Sequence, residues 1–170
     1  MPDFKDQTAV VTGASRGLGR SLALALAKAG AFVYVGFHVQ EAQARKTLEE
    51  ITAAGGQGTL LRLDVRRVED VDSAAQKVSA ERGGVDLLVN NAGVLRDSPF
   101  IDMEPKDFAD VLSVNLTGVF LCCQAFSRLM MRRRRGAIVN VASVAGLRAS
   151  PGQANYSASK GGLVAMGRTI

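Results

Sequence analysis

Tyr156 and Lys160 lie four residues apart, which puts both side chains on one face of a helix. A phenol alone is a poor proton donor or acceptor at neutral pH. A neighbouring ammonium stabilises the phenolate and brings such a group toward the working range. Ser143 closes an apolar segment, where its hydroxyl is placed to bond a substrate carbonyl. Asn115 sits among Val111, Val114, Leu116 and Val119, a setting in which a polar amide needs a partner. A bound water linking it to Lys160 would be one. Singly, each residue has a plainer reading, since Tyr–Lys pairs at helical spacing are often surface packing and serines often end strands. In this order, and together with the loop described next, coincidence is a poor explanation.

That loop is Thr12-Gly13-Ala14-Ser15-Arg16-Gly17-Leu18-Gly19. Glycines at 13, 17 and 19 allow a tight turn, close approach of backbone to a phosphate, and tight helix–strand packing. A helix opening there presents free N–H groups and a positive dipole end to a pyrophosphate. The spacing differs from G-x-G-x-x-G and lacks the Lys-Ser/Thr of a triphosphate loop, so a dinucleotide is the better ligand. An NAD site usually carries an acid at the end of the second strand for the ribose 2′-hydroxyl. Here that end reads Val35-Gly36-Phe37-His38, without one. Arg16 is placed to meet a 2′-phosphate by a charge-assisted bond. His38 is either a second donor or an ordinary exposed loop residue. The pattern therefore points to NADP(H) over NAD(H).

Strands and helices must alternate to position these groups. Apolar runs at 8–13, 32–37, 58–65, 85–90 and 137–142 read as strands. Helical periodicity joins them: Leu18 to Ala29 stopped by Gly30, Ala44 to Ile51 closed by Gly55-Gly56, and Val71 to Val78 closed by Gly83-Gly84. One long helix is expected from Pro105 to Arg132-Arg133-Arg134-Arg135, and a last one from Ala154, still running at Ile170. Such alternation predicts an α/β fold, a doubly wound parallel sheet of the Rossmann type. Strands as continuously apolar as 85–89 fit burial on both faces.

Composition agrees. The 170 residues suffice for one domain, and 47% apolar content with only 5% aromatics suits small residues packed closely on a sheet. Cys122 and Cys123 are adjacent within a helix, which makes a disulfide between them an unsuitable staple and fits a reducing compartment. A chain with one histidine, remote from both, offers no metal site. The polar start, MPDFKDQT, has no signal core, and no apolar stretch of spanning length lacks a polar interruption, so a soluble cytoplasmic protein is expected. Part of the net charge of +5 is the arginine run at 132–135. It is either a solvated helix end or a docking patch for an acidic partner; nucleic acid is disfavoured because no aromatics interleave.

The segments TGASRGLG (12–19), LDV (63–65), NNAG (90–93), Asn115, Ser143 and YSASK (156–160) together resemble the short-chain dehydrogenase/reductase family. The resemblance implies that Gly13, Ser15, Arg16, Gly17, Leu18 and Gly19 hold the pyrophosphate end. It places Asp64 and Val65 along the adenine, and Asn91, Ala92 and Gly93 beside the cofactor after the fourth strand. Asn115, Ser143, Tyr156 and Lys160 would form a catalytic tetrad: Tyr156 protonates a carbonyl, Ser143 orients it, Lys160 tunes Tyr156 and binds ribose, and Asn115 holds a relay water. Within the family, NNAGVLRDSPF (90–100), SVAG (143–146) and GQANYSASKGGL (152–163) look like 3-oxoacyl-[acyl-carrier-protein] reductases. Those enzymes act on an acyl thioester on a small acidic carrier, which would give Arg132, Arg133, Arg134 and Arg135 a partner. Family domains are longer, and commonly homo-oligomeric. Residues 1–170 are thus expected to form a dinucleotide-binding domain incomplete at its carboxyl end. An alcohol-oxidising dehydrogenase and a cofactor-binding fragment without catalysis are the competing readings.

Overall fold

The computed structural model describes residues 3–148 and 150–170; Met1 and Pro2 of the polar amino-terminal stretch lie outside the described residues. The strands are β1 (Thr8–Val11), β2 (Phe32–Phe37), β3 (Gln57–Arg62), β4 (Leu87–Asn90) and β5 (Ala137–Asn140). Among the described residues they form one five-stranded sheet of order β3-β2-β1-β4-β5, parallel throughout. The order reverses direction between β1 and β4. Ligands of open α/β sheets bind beyond the strand carboxyl ends at such a point, and the glycine loop follows β1 while Asn91 follows β4.

Alternate residues of each strand face opposite layers. Ala9, Val11, Val33 and Val35 pack with Ala23 and Ala27 of α1 (Gly17–Lys28) and Ala44 and Ile51 of α2 (Glu41–Ala53). Val10, Tyr34 and Leu88 pack on the other face with Val71 and Val78 of α3 (Val68–Arg82) and Phe126 and Met130 of α5 (Gly118–Arg133). The small side chains of α1 and α2 let those helices lie close to the sheet. Cys122 and Cys123 are buried under α5 as free thiols. Burial pushes the Cys122 thiol up to about 12 and that of Cys123 upward as well.

Several boundaries differ from the sequence reading. β3 ends at Arg62 rather than 65, although Leu63 N–H still donates to Phe37 O (2.7 Å). Asp64 and Val65 therefore leave the ladder at the carboxyl edge. β4 starts at Leu87, although the Asp86 backbone N–H still donates to Thr8 O (2.8 Å) and its carbonyl accepts from Ala137 N–H (2.9 Å); its carboxylate Oδ2 accepts from Thr8 N–H (2.9 Å) and Oδ1 faces Arg133 (3.2 Å) and Arg135 (2.9 Å). β5 stops at Asn140, and as an edge strand it leaves Val139 49% exposed. The last helix, α6 (Ala154–Gly167), ends three residues before Ile170.

The expected long helix is two. α4 (Pro105–Leu112) and α5 are joined by a π-helical turn, Ser113–Thr117. The combined run, Pro105–Arg133, is 29 residues and, by length and composition, long and apolar enough to cross a membrane. Its inward face, however, packs on the sheet through Cys122, Ala125 and Phe126, and its turn buries Asn115, as suits a core helix.

Candidate active site

A cleft of about 630 Å³ opens at the carboxyl ends of β1, β2, β3 and β4, within the range of small-molecule and cofactor sites. Every candidate cofactor residue of the glycine loop lines it, as do His38, Asp64, Val65 and Asn91–Gly93. The loop is built to expose backbone. A Cβ on Gly19 would lie 2.3 Å from Gly13 O and 2.4 Å from Asn91 Nδ2, so only glycine lets α1 start this close to the β4 loop. Gly17, at φ +56°, faces open space. The first turn of α1 carries no acid and its N-cap, Arg16, makes no side-chain cap bond, so the helix end presents N–H groups and positive dipole to the cleft. A glycine cradle, a helix N-terminus and a basic side chain fit the pyrophosphate and phosphate groups of a dinucleotide.

Side-chain bonds to backbone fix the loop after β4. Thr12 Oγ1 accepts from the N–H groups of Asn91 and Ala92 (both 3.0 Å), and Asn91 Nδ2 donates to the carbonyls of Thr12 and Gly13 (both 3.0 Å). Asn155, buried at the start of α6, donates to Arg96 O (2.7 Å) and ties that helix to the same loop. A polar residue between β4 and α4 with an asparagine beside Tyr156 was the available signal; its partner is far away in sequence.

The Asn115 side chain is engaged by backbone. Its Oδ1 accepts from Val94 N–H (2.8 Å), and its Nδ2 donates to Val94 O (3.0 Å) and lies 3.4 Å from Ser159 Oγ. The side-chain amide is a clamp that holds the β4 loop against α6. The π turn makes this reach: one extra residue in the turn rotates Asn115 inward while both flanking helices keep their apolar faces on the core.

Ser143, Tyr156 and Lys160 lie beside the cleft rather than in its lining. Ser143 caps a short 3₁₀ turn, Val144–Gly146, its Oγ accepting from Ala145 N–H (3.2 Å). That bond uses an oxygen lone pair, not the hydroxyl proton. The turn packs directly on α6, where a Cβ on Gly146 would lie 2.6 Å from Gly161 N and from Lys160 C. Lys160 is buried, with Nζ donating to Val141 O (2.6 Å) and standing 5.7 Å from the centre of the Tyr156 ring. Burial lowers its ammonium below the usual lysine range. The turn that Ser143 opens thus packs on the helix that bears Tyr156 and Lys160, and Asn155 ties that helix to the loop that lines the cleft.

At the other end, Asp64 Oδ2 is 3.4 Å from His38 Nε2. Arg66, unremarked in the motif reading, also lines the cleft and grips Asp64 with Nε (2.9 Å) and Nη2 (2.7 Å). The Arg66 hydrogen bond is the main reason the Asp64 carboxyl falls to about 2. The arginine run is split: Arg133 and Arg135 hold Asp86 at the amino ends of the strands, opposite the cleft. Arg135 remains 61% exposed while paired, and Arg132 and Arg134 are exposed and not engaged with Asp86.

A parallel sheet reversing at β1 and β4, a glycine loop there, and a Ser–Tyr–Lys group after β5 define a dinucleotide-binding α/β fold. The chain belongs to the short chain dehydrogenases, whose family description matches residues 7–170. It is 42% identical over 164 residues to a 3-oxoacyl-[acyl-carrier-protein] reductase of Synechocystis sp. (strain PCC 6803), covering 96% of this chain and 66% of the relative. It is 40% identical to the 3-oxoacyl-[acyl-carrier-protein] reductase FabG of Staphylococcus epidermidis (strain RP62A), covering 96% and 67%. A crystal structure assigned as a short-chain alcohol dehydrogenase of Sinorhizobium meliloti 1021 superposes with a TM-score of 0.93 at 40% identity, covering 98% of this chain and 66% of that one. The chain therefore spans about two thirds of the length of the relatives it matches.

Proposed function

We propose that the protein is an NADPH-dependent carbonyl reductase whose substrate is a 3-oxoacyl thioester. The observation that carries this reading is Lys160 beside Tyr156 on α6, a helix packed on the turn that Ser143 opens and tied through Asn155 to the loop that lines the glycine-rich cleft. The names of the relatives at 40–42% identity support the thioester. Preference for the 2′-phosphorylated cofactor is supported by Arg16 in the cleft wall and by a β2 end without an acid.

The Gly13–Gly19 loop would hold the pyrophosphate of NADPH, which would supply the hydride for the carbonyl carbon. Ser143 orients the carbonyl by donating its hydroxyl proton in a hydrogen bond. Tyr156 gives its phenolic proton to the carbonyl oxygen, so that hydride and proton together yield the 3-hydroxyacyl product. Lys160 stabilises the phenolate left behind and bonds the ribose. Asn115 positions these groups by fixing the Val94 backbone against α6. Asp64 and Val65 would lie along the adenine, and Asn91, Ala92 and Gly93 would line the cofactor after β4.

An acidic acyl carrier is the partner this reading implies, with Arg132 and Arg134 as its contacts. Free, buried thiols at Cys122 and Cys123 support a reducing compartment such as the cytoplasm. The same machinery run backward would oxidise an alcohol, the reading favoured by the assignment of the Sinorhizobium structure.

The test is consumption of NADPH with acetoacetyl thioester, followed by nicotinamide absorbance. Tyr156→Phe is expected to lower turnover by about 10²–10⁴-fold with little change in cofactor binding. Turnover unaffected by that substitution removes Tyr156 from the proton transfer. Faster alcohol oxidation than ketone reduction at matched concentrations would select the second reading.

A further inference from the structure

The end of β2 lacks an acid, yet the cleft does not. Asp64, just after β3, enters it and lies 3.4 Å from His38, the first residue after β2. Its side chain is only 7% exposed, so little water stands between its charge and the cleft. A bare carboxylate there would oppose a 2′-phosphate much as an acid on β2 does.

Arg66 cancels it. The guanidinium, 44% exposed, takes both Asp64 oxygens in a side-on pair, and the Arg66 backbone N–H adds a bond to Oδ1 (3.1 Å). A two-pronged pair of this kind fixes orientation as well as charge. Asp110 of α4 also acts on Arg66 but does not line the cleft. Among the described residues, the charged and titratable groups in the lining are Arg16, His38, Asp64 and Arg66. With the His38 ring neutral, these leave one net positive charge. Without Arg66, Arg16 and Asp64 would cancel, and His38 would be the partner left to Asp64.

We infer that Arg66 is a specificity-determining residue for the phosphorylated cofactor: by occupying Asp64 it leaves Arg16 and His38 to a 2′-phosphate. Arg66 acts through Asp64, as a positioning residue. The inference rests on the proposal that the cofactor is NADPH.

The test compares two adenosine fragments that differ only at the 2′ position, adenosine 2′,5′-bisphosphate and adenosine 5′-monophosphate, by titration calorimetry on the full chain. Wild type is expected to favour the bisphosphate. Arg66→Ala is expected to lower that preference roughly tenfold, the scale of one unit charge near a phosphate in a wet cleft, mainly through the bisphosphate. Arg66→Lys keeps the charge and should keep most of the preference. Adding Asp64→Asn to Arg66→Ala removes the opposing acid and should recover it. A thermal melt of each variant shows that it is folded. If Arg66→Ala leaves the ratio unchanged, or weakens both fragments equally, the inference is overturned while the cofactor reading stands. If wild type itself shows no preference, the cofactor reading fails and takes the inference with it.

Discussion

Asp64 lines the cleft and also bears on stability. Its carboxyl is held at about 2, from an ordinary 3.8, chiefly by the Arg66 hydrogen bond. A depressed carboxyl contributes stability that is full above its unfolded value and is lost as pH falls through the folded one. Arg66 is partly exposed, so solvent screening reduces the pair to about 1 kcal/mol. Arg66→Ala should therefore melt lower than wild type above about pH 4, and the difference should close between there and pH 2; a gap constant over that range would show that the pair is not its source. Of the candidate site, the residues proposed for catalysis stand out in the sequence because each is a chemical type at a telling spacing. Arg66 was not, because an arginine two positions after an acid in a turn reads as solvent-facing charge. Only the exit of Asp64 from the β3 ladder turns both toward the cleft. Asn115 was noticed for the right reason, a polar amide in an apolar pattern. Its partner, the Val94 backbone, belongs to another element and could not be read from the pattern.

Elements carry these side chains by their ends and irregularities. The π turn at Ser113–Thr117 escaped the periodicity reading because one inserted residue leaves apolar positions on both sides still close to helical spacing. Strand existence and order of appearance were plain from apolar runs. Strand ends were not, since they depend on partners such as Thr8 with Asp86. α5 ends with Arg134 in a left-handed conformation, φ 52°, and Arg135 N–H returns to Met130 O (3.2 Å). This is a terminus usually made by glycine. Arg134→Gly is expected to relieve backbone strain and raise stability by about 1 kcal/mol, measured as a higher midpoint in urea. A lower midpoint would mean that the Arg134 side chain contributes more than its backbone costs.

The molecule as a whole is a parallel sheet between two helical layers, organised so that the strand carboxyl ends hold chemistry and the amino ends hold Asp86 with Arg133 and Arg135. The alternation of strands and helices made this architecture readable before any coordinate. Its strand order follows from each β-α-β unit turning the same way. The two thiols under α5 give this architecture a reporter that needs no label to be engineered. A thiolate is what an alkylating reagent attacks, and burial holds Cys122 up to about 12 and raises Cys123 too. Iodoacetamide at neutral pH should hence modify the native protein only when the α5 layer parts from the sheet, and the slow rate of modification becomes a clock for that opening. A ligand bridging the β1 and β4 loops shifts the balance by mass action. At a hundredfold excess over its dissociation constant it should slow alkylation about a hundredfold if the opening is global, and far less if α5 lifts alone. Cysteine chemistry, with no assay of turnover, would then tell whether the cofactor half of this molecule opens as one body.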